Sequence, residues 1–87
     1  SQRFVLGQQI ENKALNVLQS IIRANLERDK TPTLKEMSAE LDELRILIRL
    51  SKDLRFVSIK QYETAAERLN EIGRLLTGWA KRFPGAI

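Results

Sequence analysis

The chain has 87 residues, of which 43% are hydrophobic and 30% are charged, and its net charge at pH 7 is +4. This length and composition are typical of one small folded domain rather than of a disordered segment, and we expect residues 1–87 to form a single helical domain. Because cysteine and histidine are both absent, disulfides, thiolate chemistry and the usual zinc ligands are excluded. No apolar run reaches the roughly 18–20 residues that a membrane-spanning helix needs, and the lack of cysteine favours a cytoplasmic protein.

The first helix is predicted over residues 5–27, after a short non-helical segment at residues 1–4. Its apolar residues recur at steps of three and four, which is the spacing of one face of a helix. This face is wide enough that we expect it to contact more than one neighbour. It comprises Leu6, Ile10, Ala14, Val17, Leu18, Ile21 and Ile22, and Leu15 and Leu26 broaden it.

The second helix is predicted over residues 33–56. Two caps are possible: Thr31 with Pro32 in the first turn, or Thr33 with Glu36 three residues later, and the sequence does not decide between them. The apolar residues of this helix follow an alternating three-four rhythm and comprise Leu34, Met37, Leu41, Leu44 and Ile48.

A short turn leads into the third helix, which is predicted over residues 59–82. Ser58 and Gln61 form a capping box, and Val57 and Tyr62 can form a hydrophobic staple across it. The apolar stripe of this helix comprises Tyr62, Ala66, Leu69, Ile72, Leu76, Trp79 and Phe83.

Two glycines, Gly73 and Gly78, lie inside the third helix, although each costs about 1 kcal/mol relative to alanine there. We expect a neighbouring helix to approach them closely. Pro84 and Gly85 are predicted to end the helix. Three long helices joined by short turns predict an all-α fold, an up-down antiparallel helical bundle with three long helices in this chain.

Several cations lie near the turn between the second and third helices. Arg45, Arg49 and Lys52 recur at steps of four and three, so they form a line on the helix surface. Arginines in this arrangement could bind successive phosphates. The alternative is that these cations complement the helix dipole and pair with acidic residues of neighbouring helices, such as Glu11 and Glu63. We call this candidate nucleic-acid-binding set the basic row; it comprises Arg45, Arg49, Lys52, Arg55 and Lys60.

A secondary basic set lies at the end of the third helix and comprises Arg74, Lys81 and Arg82. Antiparallel packing would bring it toward Arg23 and Arg28 at the end of the first helix. We therefore expect it at the opposite end of the bundle from the basic row, and the sequence does not choose which end faces nucleic acid.

Two carboxylate pairs have the i, i+4 spacing that occurs in helical metal sites: Glu36 with Glu40, and Glu67 with Glu71. Helical di-iron sites also need histidine, which this chain lacks, and no glycine-rich phosphate loop is present. We interpret the four residues as solvated surface carboxylates. We expect no enzyme activity, no metal and no cofactor.

Four blocks of the sequence, in this order, resemble the Avd-like four-helix-bundle family: RFVLGQQIEN at 3–12, LRILIRLSKDL at 44–54, KQYE at 60–63 and EIGRLLTGWAK at 71–81. That family contains the accessory variability protein of diversity-generating retroelements. It is related to the four-helix proteins encoded in intervening sequences of bacterial 23S rRNA genes. Family members usually begin with a further helix before the Arg3-Phe4 segment, and they tend to have Gly-Gly-Trp where this chain has Thr77-Gly78-Trp79.

The resemblance implies a non-catalytic, basic bundle that assembles into a homo-oligomeric ring, typically a pentamer. It implies two kinds of partner, the retroelement's reverse transcriptase and the backbone of RNA or DNA, during mutagenic retrohoming. The alternative is a structural homo-oligomeric adaptor of the rRNA intervening-sequence type, with no nucleic-acid role. Without the further helix of its relatives, the chain would leave apolar surface uncovered, and we expect a subunit interface or a fourth helix from elsewhere to cover it.

Overall fold

The structure, a computed structural model, describes residues 1–82. They form three helices: α1 at Gln2–Leu26, α2 at Thr31–Asp53 and α3 at Ile59–Arg82. This part of the chain contains no strand, so the predicted all-α class is confirmed. None of the three helices is long and apolar enough to cross a membrane. The predictions made for Phe83, Pro84 and Gly85 lie outside the described residues.

Helix α1 begins earlier than predicted because Ser1 caps it. The Ser1 Oγ accepts a hydrogen bond from the backbone N–H of Phe4 at 3.3 Å, and the Ser1 carbonyl accepts one from Val5 at 3.1 Å. A serine at this position satisfies N–H groups that the first turn would otherwise leave unpaired. The predicted non-helical segment at residues 1–4 is therefore wrong, apart from Ser1 itself.

Neither of the two predicted caps forms at the start of α2. Lys30 occupies the cap position, and its side chain makes no capping hydrogen bond. The Thr31 N–H instead donates to the Asp29 carboxylate at 3.0 Å, and the Thr33 hydroxyl donates to the Glu27 carboxylate at 2.6 Å. The two threonines predicted as caps thus each donate a hydrogen bond to a carboxylate that precedes the helix.

Helix α2 ends at Asp53, before the predicted end, because the chain then turns through a left-handed residue. Arg55 has a φ of 62°, a conformation uncommon for a residue other than glycine. The backbone N–H of Arg55 donates to the Lys52 carbonyl at 2.9 Å, and that of Phe56 donates to the Ser51 carbonyl at 2.8 Å. These two bonds are the Schellman pattern, which satisfies carbonyls at the end of a helix.

The predicted capping box at the start of α3 is confirmed. The Ser58 N–H donates to Gln61 Oε1 at 2.8 Å, and the Gln61 N–H donates to Ser58 Oγ at 3.1 Å. The two bonds pair groups within the first turn of α3, so side chains close in sequence specify the residue at which this helix begins.

The core is built around α2, which packs against both α1 and α3. No Cα atom of α1 lies within 8 Å of one in α3. Leu34 and Met37 are fully buried, as the three-four rhythm of α2 predicts. The core comprises Leu34, Met37, Leu41, Leu44, Leu69 and Leu76, and half-buried Ile10, Ile21, Ile48, Ile72 and Trp79 pack against it.

One carboxylate lies in the interface between α1 and α2. Glu40 is 8% exposed and accepts a hydrogen bond from the Ser20 hydroxyl at 3.2 Å, so the prediction of a solvated surface carboxylate is wrong for this residue. Nearby, Lys13 forms an ion pair with Glu43. The hydrogen bond to Glu43, helped by the charges of Glu43 and Glu40, raises the pKa of Lys13 above its ordinary value of 10.5. Lys13 is therefore charged at neutral pH, and its contribution to the pair is lost as the pH rises through the raised pKa.

Replacement of the buried Leu34 by alanine tests the central place of α2. We expect Leu34→Ala to lower the free energy of unfolding by about 2–5 kcal/mol, since it removes apolar contacts and leaves a cavity. Urea denaturation followed by circular dichroism measures the change. Ile46→Ala is the matched control on the same helix, because Ile46 is 67% exposed; it should cost less than about 1 kcal/mol. Equal losses in both variants would contradict the arrangement.

Candidate nucleic-acid interface

Three cavities follow the junction between α2 and α3. The cavity beside the turn has a volume of about 590 Å³ and is lined by Lys52, Arg55 and Tyr62, among others. The middle cavity, of about 390 Å³, is lined by Arg45, Arg49 and Tyr62. Tyr62 lines both, so the two cavities are neighbours along the helix pair.

The third cavity, of about 620 Å³, lies farther along the same junction and is lined by Arg45, Arg74 and Lys81, among others. It shares Arg45 and Asn70 with the middle cavity. The three cavities therefore follow one another along the junction of α2 and α3, and we call them together the α2–α3 groove. Its cations are Lys52, Arg55, Arg49, Arg45, Arg74 and Lys81.

Arg45 lies at the centre of the groove and is held from two sides. Its Nη1 lies 3.2 Å from Asp42 Oδ1, one helical turn earlier. A methyl group added at Gly73 would lie only 2.9 Å from Arg45 Nη2 and 3.7 Å from Leu41 Cδ2. The predicted close approach at Gly73 is thus confirmed, and it is made by side chains of α2. At Gly78 the prediction is wrong for residues 1–82, since an added methyl group would meet nothing within 4 Å.

The other members of the basic row differ in the contacts that their side chains make. Arg49 is exposed and forms no ion pair within residues 1–82. The Lys52 ammonium lies 4.6 Å from the centroid of the Tyr62 ring, a cation–π contact, and 3.7 Å from Asp53 Oδ1. Lys60 is exposed but lines none of the three cavities.

The ion pairs that the sequence suggested for the basic row, with residues such as Glu11 and Glu63, do not form in the described part of the chain. The carboxylates that pair with the row, Asp42 and Asp53, belong to α2 itself. Both pairs are at the surface, where an ion pair contributes little to stability. Ion pairing between helices therefore does not account for the position of these cations.

The secondary basic set and the basic row were predicted at opposite ends of the bundle, and one cavity has lining residues from both sets. Arg74 and Lys81 line the same cavity as Arg45, so the two sets meet in the α2–α3 groove. Arg82 is exposed and lines none of the three cavities. Arg23 lines none of the three cavities and forms ion pairs with Glu36 of α2 and with Glu27.

A polar stripe on α3 is a sequence signal for this arrangement that did not enter the prediction of the site. Asn70, Arg74, Thr77 and Lys81 recur at steps of four, three and four, so they lie on one side of the helix. All four line the third cavity. The Thr77 hydroxyl donates to the Gly73 carbonyl at 2.9 Å, so it is already engaged within the helix.

The groove carries a large share of the chain's charge. Its lining residues include six cations and two carboxylates, Asp42 and Glu63, which give it a net charge of +4. The whole chain also has a net charge of +4, so charges outside the groove balance one another. Residues 1–82 contain no group of three or more acidic side chains placed to hold a metal ion. The groove is thus suited to an extended anion.

Comparison with known proteins gives a family for this chain. The family model described as bAvd-like matches residues 1–83. No curated protein and no solved structure matches the chain. The match covers nearly the full sequence and agrees with the four blocks that resemble the Avd-like family. The chain belongs to the bAvd-like family.

Proposed function

We propose that this chain is a non-catalytic, nucleic-acid-binding accessory subunit of a diversity-generating retroelement, and that it assists the reverse transcriptase during mutagenic retrohoming. One observation carries the nucleic-acid part: the net charge of +4 is concentrated in the α2–α3 groove. The reverse transcriptase and the retroelement come from the family to which the chain belongs.

The proposed mechanism is positioning of nucleic acid by contacts to its phosphates. Arg49 and Arg55 present exposed guanidinium groups, which can bind phosphate oxygens through two parallel hydrogen bonds. Arg45 would exchange Asp42 for a phosphate at small cost, because a surface ion pair is weak. Such contacts fix the path of the strand and carry no base specificity. The RNA or DNA would thus be held by its backbone while the reverse transcriptase performs the chemistry.

The proposed assembly is a homo-oligomer, with a pentamer favoured. Its subunits would be up-down antiparallel bundles of the four-helix type, and the connections of four and five residues between consecutive, mutually packed helices support that order. A ring would also repeat the groove around an axis and strengthen weak binding by each subunit through avidity.

A second candidate is favoured by a separate observation. One side of α1 presents a row of large apolar side chains that are between 52% and 83% exposed. We call it the α1 stripe; it comprises Phe4, Leu15, Leu18, Ile22 and Leu26. Apolar surface of this kind marks interfaces. In this alternative, the chain is a structural homo-oligomeric adaptor whose charges only keep it in solution.

Nucleic-acid binding is tested with Arg45→Glu/Arg49→Glu. We expect the wild type to bind labelled RNA or DNA in an anisotropy titration. The slope of log K against log salt concentration should be negative, with a magnitude of about 0.7 to 0.9 for each phosphate neutralised. The double variant should abolish binding because it replaces two central cations with anions, while circular dichroism shows unchanged helicity.

The matched control is Arg28→Glu/Lys35→Glu. Both residues are exposed and line none of the three cavities, and both double variants lower the net charge from +4 to 0. The control should retain most of the affinity. Equal losses in the two variants would show that binding follows net charge alone, and no binding by the wild type at low salt would favour the adaptor.

The assembly is tested on the α1 stripe. Light scattering should give the wild type a molar mass several times its subunit mass of 10.0 kDa, five times for a pentamer. Leu18→Glu/Ile22→Glu should shift the mass toward the monomer, since it places charges on apolar surface that assembly would bury. Asn12→Asp/Gln19→Glu adds the same charge at exposed polar positions of α1 and should leave the mass unchanged. A monomeric wild type would contradict the assembly.

A further inference from the structure

The cavity at Gly73 has features that the rest of the groove lacks. Three cations from two helices line it, Arg45 from α2 and Arg74 and Lys81 from α3. Asp42 is the single carboxylate among its lining residues, so the cavity has a net charge of +2. Arg74 and Lys81 form no ion pair within residues 1–82. Two cations thus converge on one open space without a partner in the described chain.

Gly73 gives Arg45 its place in this cavity. A methyl group at residue 73 would come within 2.9 Å of Arg45 Nη2, closer than side-chain atoms ordinarily approach. The absent side chain therefore lets the guanidinium lie against the backbone of α3. On its other side, Asp42 Oδ1 lies 3.2 Å from Nη1. A guanidinium that lies against a helix backbone loses less conformational freedom when a phosphate takes the place of Asp42.

The polar lining of the cavity suits a tetrahedral oxyanion. Arg45 and Arg74 can each donate several N–H groups, Lys81 adds an ammonium, and the side-chain amide of Asn70 supplies a further donor. The net charge of +2 balances the charge of a phosphate monoester and exceeds the single negative charge of a diester. An apolar ligand would leave these cations without partners, which is costly where the surface becomes buried.

We propose that the Gly73 cavity is a phosphate-binding site in which Arg45, Arg74 and Lys81 contact one phosphate group, and in which Gly73 is the positioning residue for Arg45. The phosphate belongs to the backbone of a nucleic acid, because Arg45 and Asn70 also line the neighbouring cavity of the α2–α3 groove, where an extended strand would continue. The inference deepens the proposed function and rests on it for the identity of the ligand.

Two variants test the site. Arg74→Gln/Lys81→Gln keeps side chains of similar length and removes two charges. We expect it to weaken binding of a labelled single-stranded oligonucleotide by at least about tenfold at low salt, and to reduce the slope of log K against log salt by about 0.7, which corresponds to one phosphate contact. Gly73→Ala should weaken binding several-fold by displacing Arg45, and it should not lower Tm, since alanine is the better helix former.

Gly7→Ala is the matched control for the glycine replacement. Gly7 lies in α1, lines none of the three cavities, and has nothing within 4 Å of an added methyl group. It should change oligonucleotide affinity little. If Gly73→Ala and Gly7→Ala bind the oligonucleotide equally well, the positioning role of Gly73 is overturned. If Arg74→Gln/Lys81→Gln keeps the wild-type affinity and salt slope, the site itself is overturned.

A second titration, with inorganic phosphate alone, identifies the source of the phosphate. Oligonucleotide binding that is unaffected by Arg74→Gln/Lys81→Gln leaves the proposed function intact and overturns the inference. Binding of inorganic phosphate that depends on Arg74 and Lys81, without oligonucleotide binding, supports the site and overturns the proposed function. If the wild type binds neither probe, both are overturned.

Discussion

The fold depends on one shared apolar face, that of α2. Helices α1 and α3 both pack against it, and no Cα atom of α1 lies within 8 Å of one in α3, so α2 holds them together. Leu34 and Met37 are buried completely at this junction. Because the core occupies one part of the α2 circumference, the residues beside it, Arg45 and Arg49 among them, lie at the edge of the junction with α3. The same periodicity that builds the core thus places cations along the groove.

Much of the local structure is encoded in adjacent residues and was predictable. The three-four rhythm of α2 predicts its buried face, and Ser58 with Gln61 predicts the start of α3, since each depends on contacts within one or two turns. The errors are elsewhere. Glu40 becomes buried because Ser20 of another helix provides a hydrogen bond, and that partner is not apparent from the spacing on α2. The start of α2 was likewise decided by carboxylates outside the helix.

The candidate site was only half predictable, for a similar reason. The spacing of Arg45 and Arg49 identifies a row on α2, but the rotation of α3 about its axis decides which cations face that row. Arg74 and Lys81 of α3 line the same cavity as Arg45, and the spacing on α2 does not identify them. Gly73 links the two sets, because its missing side chain admits the Arg45 guanidinium. A single helix sequence does not reveal which neighbouring atom approaches a glycine.

The α2–α3 groove, and no other surface, is proposed to bind the phosphate backbone. The most direct test is a titration of the ¹⁵N-labelled protein with a short oligonucleotide, followed by amide and arginine side-chain NMR shifts. We predict that the largest shifts cluster at Arg45, Arg49 and Gly73 and that α1 resonances change little. Shifts concentrated on the α1 stripe, or spread evenly over all exposed cations, would contradict the assignment of binding to the groove.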